Sequence, residues 1–180
     1  MSDAMIVSME ALFDKRAPQQ MVSEATAFKT VPKGLYRIRA KKYEATMREG
    51  RLSVYFQVDI LSPEGTRLAG GSFKVSPDEG RTTKGTLDTQ AKLYGQLLKA
   101  LYTSSTNEEQ AQVSVAELIQ TFMQTPVDAF IALQFKTVAR NPLTGWPDWV
   151  NTNNEEEEIA ARKAGHVASN IIRSIQKAQA

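Results

Sequence analysis

Cysteine is absent from the 180 residues, and histidine occurs once, as His166. No disulfide, thiolate nucleophile or Cys-ligated zinc site can form, which suits a reducing compartment. Zinc ligation and Ser-His-Asp catalysis have no candidate set, and His166 falls among small residues, where a surface position is expected. No apolar run approaches the ~20 residues of a membrane span. Residues 1–10 carry acids without a basic stretch ahead of an apolar one, so no secretion signal is expected. These absences predict a soluble cytoplasmic protein that is not an enzyme and carries no cofactor or metal.

Two further features look like chemistry and are read as structure. The segment Gly80-Arg81-Thr82-Thr83-Lys84-Gly85 lacks the Gly-Lys-Ser/Thr ending of a phosphate loop. Glu155, Glu156, Glu157 and Glu158 are consecutive, so on a helix they splay around the axis instead of converging on a metal. Four acids in a first turn complement the helix dipole.

What is present is an uneven charge. The net charge is +2, but residues 29–102 hold fourteen basic against seven acidic residues, leaving −5 for the rest. A cationic field over one segment points to an anionic partner. Within it, residues 34–47 alternate: Tyr36, Ile38 and Ala40 on one parity, Arg37, Arg39, Lys41 and Tyr43 on the other. Successive side chains of a strand point to opposite faces, so this predicts a ribbon with one apolar and one cationic face. Cations beside an aromatic ring suit single-stranded nucleic acid, which offers phosphates and flat bases.

Turn chemistry and periodicity order the remaining elements. Arg48-Glu49-Gly50-Arg51 is a hairpin turn. Strand two, 52–61, has Leu52, Val54, Phe56, Val58 and Ile60 inward and Ser53, Tyr55, Gln57 and Asp59 outward. Strand three, 67–75, contains Gly70-Gly71, the mark of a bulge or bend. Two helices are predicted next, over 87–102 and 114–124, the second opened by a capping-box spacing from Ser114 to Glu117. Strand four, 127–140, has Ile131, Leu133 and Phe135 inward and Phe130, Gln134, Lys136 and Arg140 on the other face; a short strand five covers 146–152. A final helix, 155–178, is capped by Asn154 and striped with Ile159, Val167, Ile171, Ile172 and Ile175.

The expected fold is therefore mainly β with α: an OB-like five-stranded antiparallel Greek-key barrel with helices between strands three and four and a C-terminal helix. The expected organisation is an N-terminal arm at 1–31 with a weak helix over 4–15, the barrel at 32–152, and the helix at 153–180, a possible route to a homo-oligomer. Such a barrel binds nucleic acid across strands two and three, between the strand one–two and four–five loops. The candidate binding set is Arg37, Arg39, Lys41, Tyr43, Arg48, Arg51, Tyr55, Lys74, Arg81, Lys84, Lys136, Arg140 and Trp146. Arg37, Arg39, Lys41 and Lys74 would track phosphates while Tyr43, Tyr55 and Trp146 stack bases. Structural alternatives stand beside these: Tyr55 under the terminal helix, Trp146 and Trp149 plugging the barrel end, Phe130 covered by the arm.

Gly34-Leu35-Tyr36-Arg37-Ile38-Arg39, the 51–60 strand, the Gly70-Gly71 strand, a Leu-rich helix and a strand entering Asn141-Pro142 together carry a resemblance. Over residues 31–152 the chain resembles small phage and prophage OB-like single-stranded-DNA-binding proteins, with their Gly-x-Tyr strand start at Gly34 and Tyr36. The resemblance implies single-stranded DNA as partner and a role in phage DNA replication or recombination. Housekeeping members of the wider class end in an acidic, Phe-terminated tail; Gln176-Lys177-Ala178-Gln179-Ala180 does not match it. The alternative function is a phage structural or assembly protein with the barrel as scaffold.

Overall fold

The computed structural model describes Met9, residues 11–18, Met21 and residues 29–179. Most of the expected N-terminal helix and arm therefore lies outside the described residues, although Met9 and 11–13 are helical and exposed. The strands are β1 (Gly34–Arg48), β2 (Arg51–Leu61), β3 (Arg67–Val75), β4 (Val127–Arg140), β5 (Pro147–Asn151) and β6 (Val167–Gln176). The helices are α1 (Thr89–Leu101), α2 (Asn107–Ala111), α3 (Val115–Gln124) and α4 (Glu155–Lys163). They build one six-stranded antiparallel sheet in the order β3-β2-β1-β4-β5, with β6 also paired to β4. The sheet is not closed by a ladder, but β6 returns against β3, and α1 packs on both strands. Ile175 donates its amide to Gln96 Oε1 of α1 at 2.8 Å, tying that corner together.

The period-two reading of the core holds. Ile38, Val54, Phe56, Ile60, Ile131 and Phe135 are fully buried, and Val58 and Leu133 nearly so. Phe122 of α3 closes the interior against Phe56 and Phe73, with ring centroids 4.9 Å and 6.0 Å away. On α1 the buried residues are Ala91, Leu93, Tyr94, Leu97 and Ala100. Helix α2, which the periodicity did not predict, is held by a capping box between Thr106 and Glu109.

The C-terminal helix expected over 155–178 is corrected. Helix α4 is capped by Asn154 but stops at Lys163. Gly165 has φ of 80°. Its amide donates to Arg162 O, and that of His166 to Ala161 O. This is a Schellman stop, for which glycine is favoured because a Cβ opposes the left-handed conformation. The β-branched run that follows then pairs along β4 from Asp128↔Gln176 to Lys136↔Val167. Of the expected stripe only Ile159 is helical; Val167, Ile171, Ile172 and Ile175 belong to a strand, with Ile172 and Ile175 in the core.

Strand β5 is corrected in role. It pairs only with the distal half of β4, from Gln134↔Asn151 to Arg140↔Pro147, and forms a hairpin that projects beyond β1. Among the described residues no helix is long and apolar enough to cross a membrane.

Candidate functional site

The cationic strand carries a break in its alternation. A β-bulge between Ala40 and Lys42 puts one extra residue into β1. Beyond it Lys42 lies opposite Gln57 and Tyr43 opposite Phe56. Directly opposed residues share a face, so Tyr43 stands on the side of the buried Phe56 and not on the cationic face. It is 48% exposed. Lys41, at the bulge, stays on the outer face.

On that face lies a basin of about 520 Å³. Its floor is Tyr55, Gln57 and Asp59 of β2 with Gly70 and Ser72 of β3. Lys41 rises on one side; Lys136 and Trp149 of the β4–β5 hairpin and Ser169 and Asn170 of β6 stand on another. Lys29 and Thr30 complete it, held in place through Val31. The Val31 amide donates to Asn170 Oδ1 at 2.8 Å, and Asn170 Nδ2 donates back to the Val31 carbonyl at 2.9 Å.

Aromatic rings and cations meet here. Lys136 Nζ lies 5.5 Å from the centroid of the Trp149 ring, within cation–π range. Trp149 is 52% exposed and Trp146, further out on the hairpin, 72%, so neither tryptophan is a core residue. Tyr55 sits opposite Lys74 in β3 and Glu44 in β1, half-buried, with its outward side on the basin and no terminal helix above it. Lys33 Nζ lies 5.7 Å from the Phe130 ring centroid; most of the arm expected to cover that ring lies outside the described residues.

Among the described residues Asp59 is the one acid of the basin. Arg67 Nε donates to its Oδ1 at 2.9 Å and Arg39 Nη2 to its Oδ2 at 3.4 Å. Burial pushes its carboxyl up, but the hydrogen bonds from Arg67 and Arg39, with the charges of Arg67 and Lys41, hold it below the ordinary value.

Of the predicted set, Lys41, Tyr55 and Lys136 line the basin, and Lys74 and Arg39 adjoin it. Arg37 turns to the far end of β1, bonded to Asp128 at 3.2 Å and to the Gln179 carbonyl. Arg48 is at the β1–β2 turn, Lys84 is exposed in the 76–88 loop, and Arg140 and Trp146 are on the distal hairpin. Arg81 pairs with Glu79 and the Gly85 carbonyl. Sequence reasoning did not assign Arg67 or Lys29 to the site, and left Trp149 outside the set. Trp149 lies opposite Lys136, but the register slips between Lys136 and Arg140, so spacing from the turn does not reveal the pair.

Arg51 is a structural clasp. Its Nη1 and Nη2 grip the Asp88 carboxylate at 2.6 Å and 2.9 Å, and its Nε donates to Ser76 Oγ at 3.1 Å. Asp88 also caps α1 by accepting from the Ala91 amide at 3.0 Å. Gly80 packs against the pair; a Cβ there would run into the Asp88 carboxylate and lie 2.7 Å from Arg51 Cζ. The glycines of the 80–85 segment thus serve a clasp and a turn, Gly85 having φ of 81°. The Arg51 bond, the Ala91 amide and the Arg51 charge hold Asp88 below its ordinary value despite its partial burial. Its contribution to stability is full above the carboxyl's ordinary value near 3.8. It is lost as pH falls from there through the lowered folded-state value. Asp88→Asn is expected to lower stability by about 1–2 kcal/mol at pH 7. In urea melts the gap from the parent should shrink as pH drops below about 4; a gap independent of pH would mean that the charge is immaterial.

No family model matches the chain, and no match was found among curated proteins or solved structures.

Proposed function

We propose that this chain is a sequence-tolerant single-stranded-DNA-binding protein whose ligand runs through the basin over β2 and β3. The observation that carries the reading is the convergence of Lys41, Arg67 and Lys136 with Tyr55 and Trp149 around one open groove. Cations there take phosphates and release counterions, while exposed rings stack bases without regard to sequence. Strand order supports an OB-like frame. β3-β2-β1-β4 continues into β6, which returns toward β3 in the place of a fifth barrel strand. The β4–β5 hairpin then extends the loop ahead of that strand. The resemblance to phage and prophage proteins would put this activity in DNA replication or recombination.

The test is fluorescence anisotropy of labelled oligo-dT and of a matching duplex at low and moderate salt. The expected result is preference for the single strand, with log K falling by about 0.7 per phosphate contact for each decade of salt. No binding at low salt, or equal binding to duplex, rejects the reading.

One observation favours a second reading, a scaffold in an assembly. The hairpin tip exposes Leu143 at 94%, Val138 at 69% and Trp146 at 72%. Light scattering separates the two: ordered assembly without DNA supports the scaffold, and monodisperse protein that binds oligo-dT supports the first.

A further inference from the structure

We propose that Asp59 limits how tightly the basin holds a nucleic-acid backbone, by orienting Arg39 and Arg67 while opposing the phosphate they would bind. The proposal rests on the reading of the basin as a single-strand site.

Asp59 points outward from β2, yet only 8% of it is exposed. Its register partner in β3 is Gly70, and Arg67 folds over that glycine: a Cβ on Gly70 would lie 3.1 Å from Arg67 Nη2. The missing side chain gives Arg67 its path to the carboxylate. Arg39, the register partner in β1, closes from the other side. Each guanidinium reaches Asp59 through a single nitrogen, Nε of Arg67 and Nη2 of Arg39.

Each arginine side chain is about half exposed, 54% for Arg67 and 55% for Arg39. A guanidinium has five N–H donors in a planar fork, and among the described residues the others on these two make no protein hydrogen bond. Arg67 at the basin, and Arg39 beside it, are therefore held with donors to spare, the geometry that suits bidentate phosphate binding. The same carboxylate places a negative charge beneath any phosphate that arrives, cancelling one of the three charges of Arg39, Arg67 and Lys41.

Asp59→Asn keeps the shape and an acceptor for Arg67 but removes the charge. It is expected to tighten oligo-dT binding three- to tenfold at 50 mM salt and to steepen the salt dependence by about one phosphate contact, roughly 0.7. Arg67→Gln is expected to weaken binding at least tenfold and flatten the slope. Both substitutions break the same ion pair, so a purely structural role moves both affinities down together; opposite signs identify the electrostatic one. Should Asp59→Asn not fold by circular dichroism, Arg39→Gln and Arg67→Gln decide. Each should lose more affinity than Lys41→Gln, because each also takes a hydrogen bond from Asp59, which Lys41 does not supply, and equal losses overturn the proposal. Parent protein that binds oligo-dT while Asp59→Asn binds unchanged or more weakly overturns this proposal alone. Parent protein that does not bind removes the basin reading and the proposal with it.

Discussion

Replacing Tyr55 and Trp149 together with alanine is expected to lower affinity for oligo-dT by about 100-fold or more, with little change in thermal stability. A base stacked on an aromatic side chain contributes about 1–3 kcal/mol, and two rings lost from one groove amount to several orders of magnitude at the upper end. Tyr55 is fixed between Lys74 and Glu44 in the register of three strands, and Trp149 is paired with Lys136 across the hairpin. Both rings face the basin, so their removal leaves the interior packing intact. Trp146→Ala serves as the control. It is as aromatic and more exposed than Trp149 but does not line the basin, so it should change affinity less than threefold. Anisotropy titration reads all three variants. An unchanged Kd in the double variant, or an equal loss in Trp146→Ala, would take the stacking role away from this groove.

The contrast between the two tryptophans bears on what was legible in the chain. Inward faces were readable because burial imposes period two on β1, β2 and β4, and Ile38, Val54, Phe56 and Ile131 lie where alternation puts them. Faces beyond a bulge were not. One extra residue between Ala40 and Lys42 moves Tyr43 to the other side, and no turn residue announces it. Strand β6 was read as helix because α4 is a true helix with a strong cap, and Ile171, Ile172 and Ile175 also fit a 3.6-residue stripe. The signals against it were Gly165 and the β-branched residues after it, which the ladder with β4 rewards. Charge counting treats every cation alike. Arg51 and Arg37 are engaged by Asp88 and Asp128, while Arg67, although paired with Asp59, keeps donors turned to the groove. That difference depends on Gly70 lying opposite Asp59, a cross-strand fact that spacing along one strand does not contain.

Phe122→Ala tests the opposite side of β2 from the basin. Phe122 is fully buried; its ring meets Phe56 edge-on at 79° and 4.9 Å and lies 6.0 Å from Phe73. Truncation removes the transfer energy of the ring and leaves a cavity between α3 and the strands. Those two terms together amount to about 3–5 kcal/mol for a buried phenylalanine. With an unfolding entropy of about 2.1 cal/mol/K per residue, that corresponds to a drop in Tm of roughly 10 °C. A circular-dichroism melt reads it, and a drop under about 3 °C would mean that the three rings are not packed as described. The second readout is affinity at 10 °C, where the variant is still folded. Tyr55 neighbours Phe56 in sequence but points the other way, so oligo-dT binding should stay within about threefold of the parent. If affinity collapses while the fold persists, the basin is held open by the core beneath it, and the groove and the interior act as one unit.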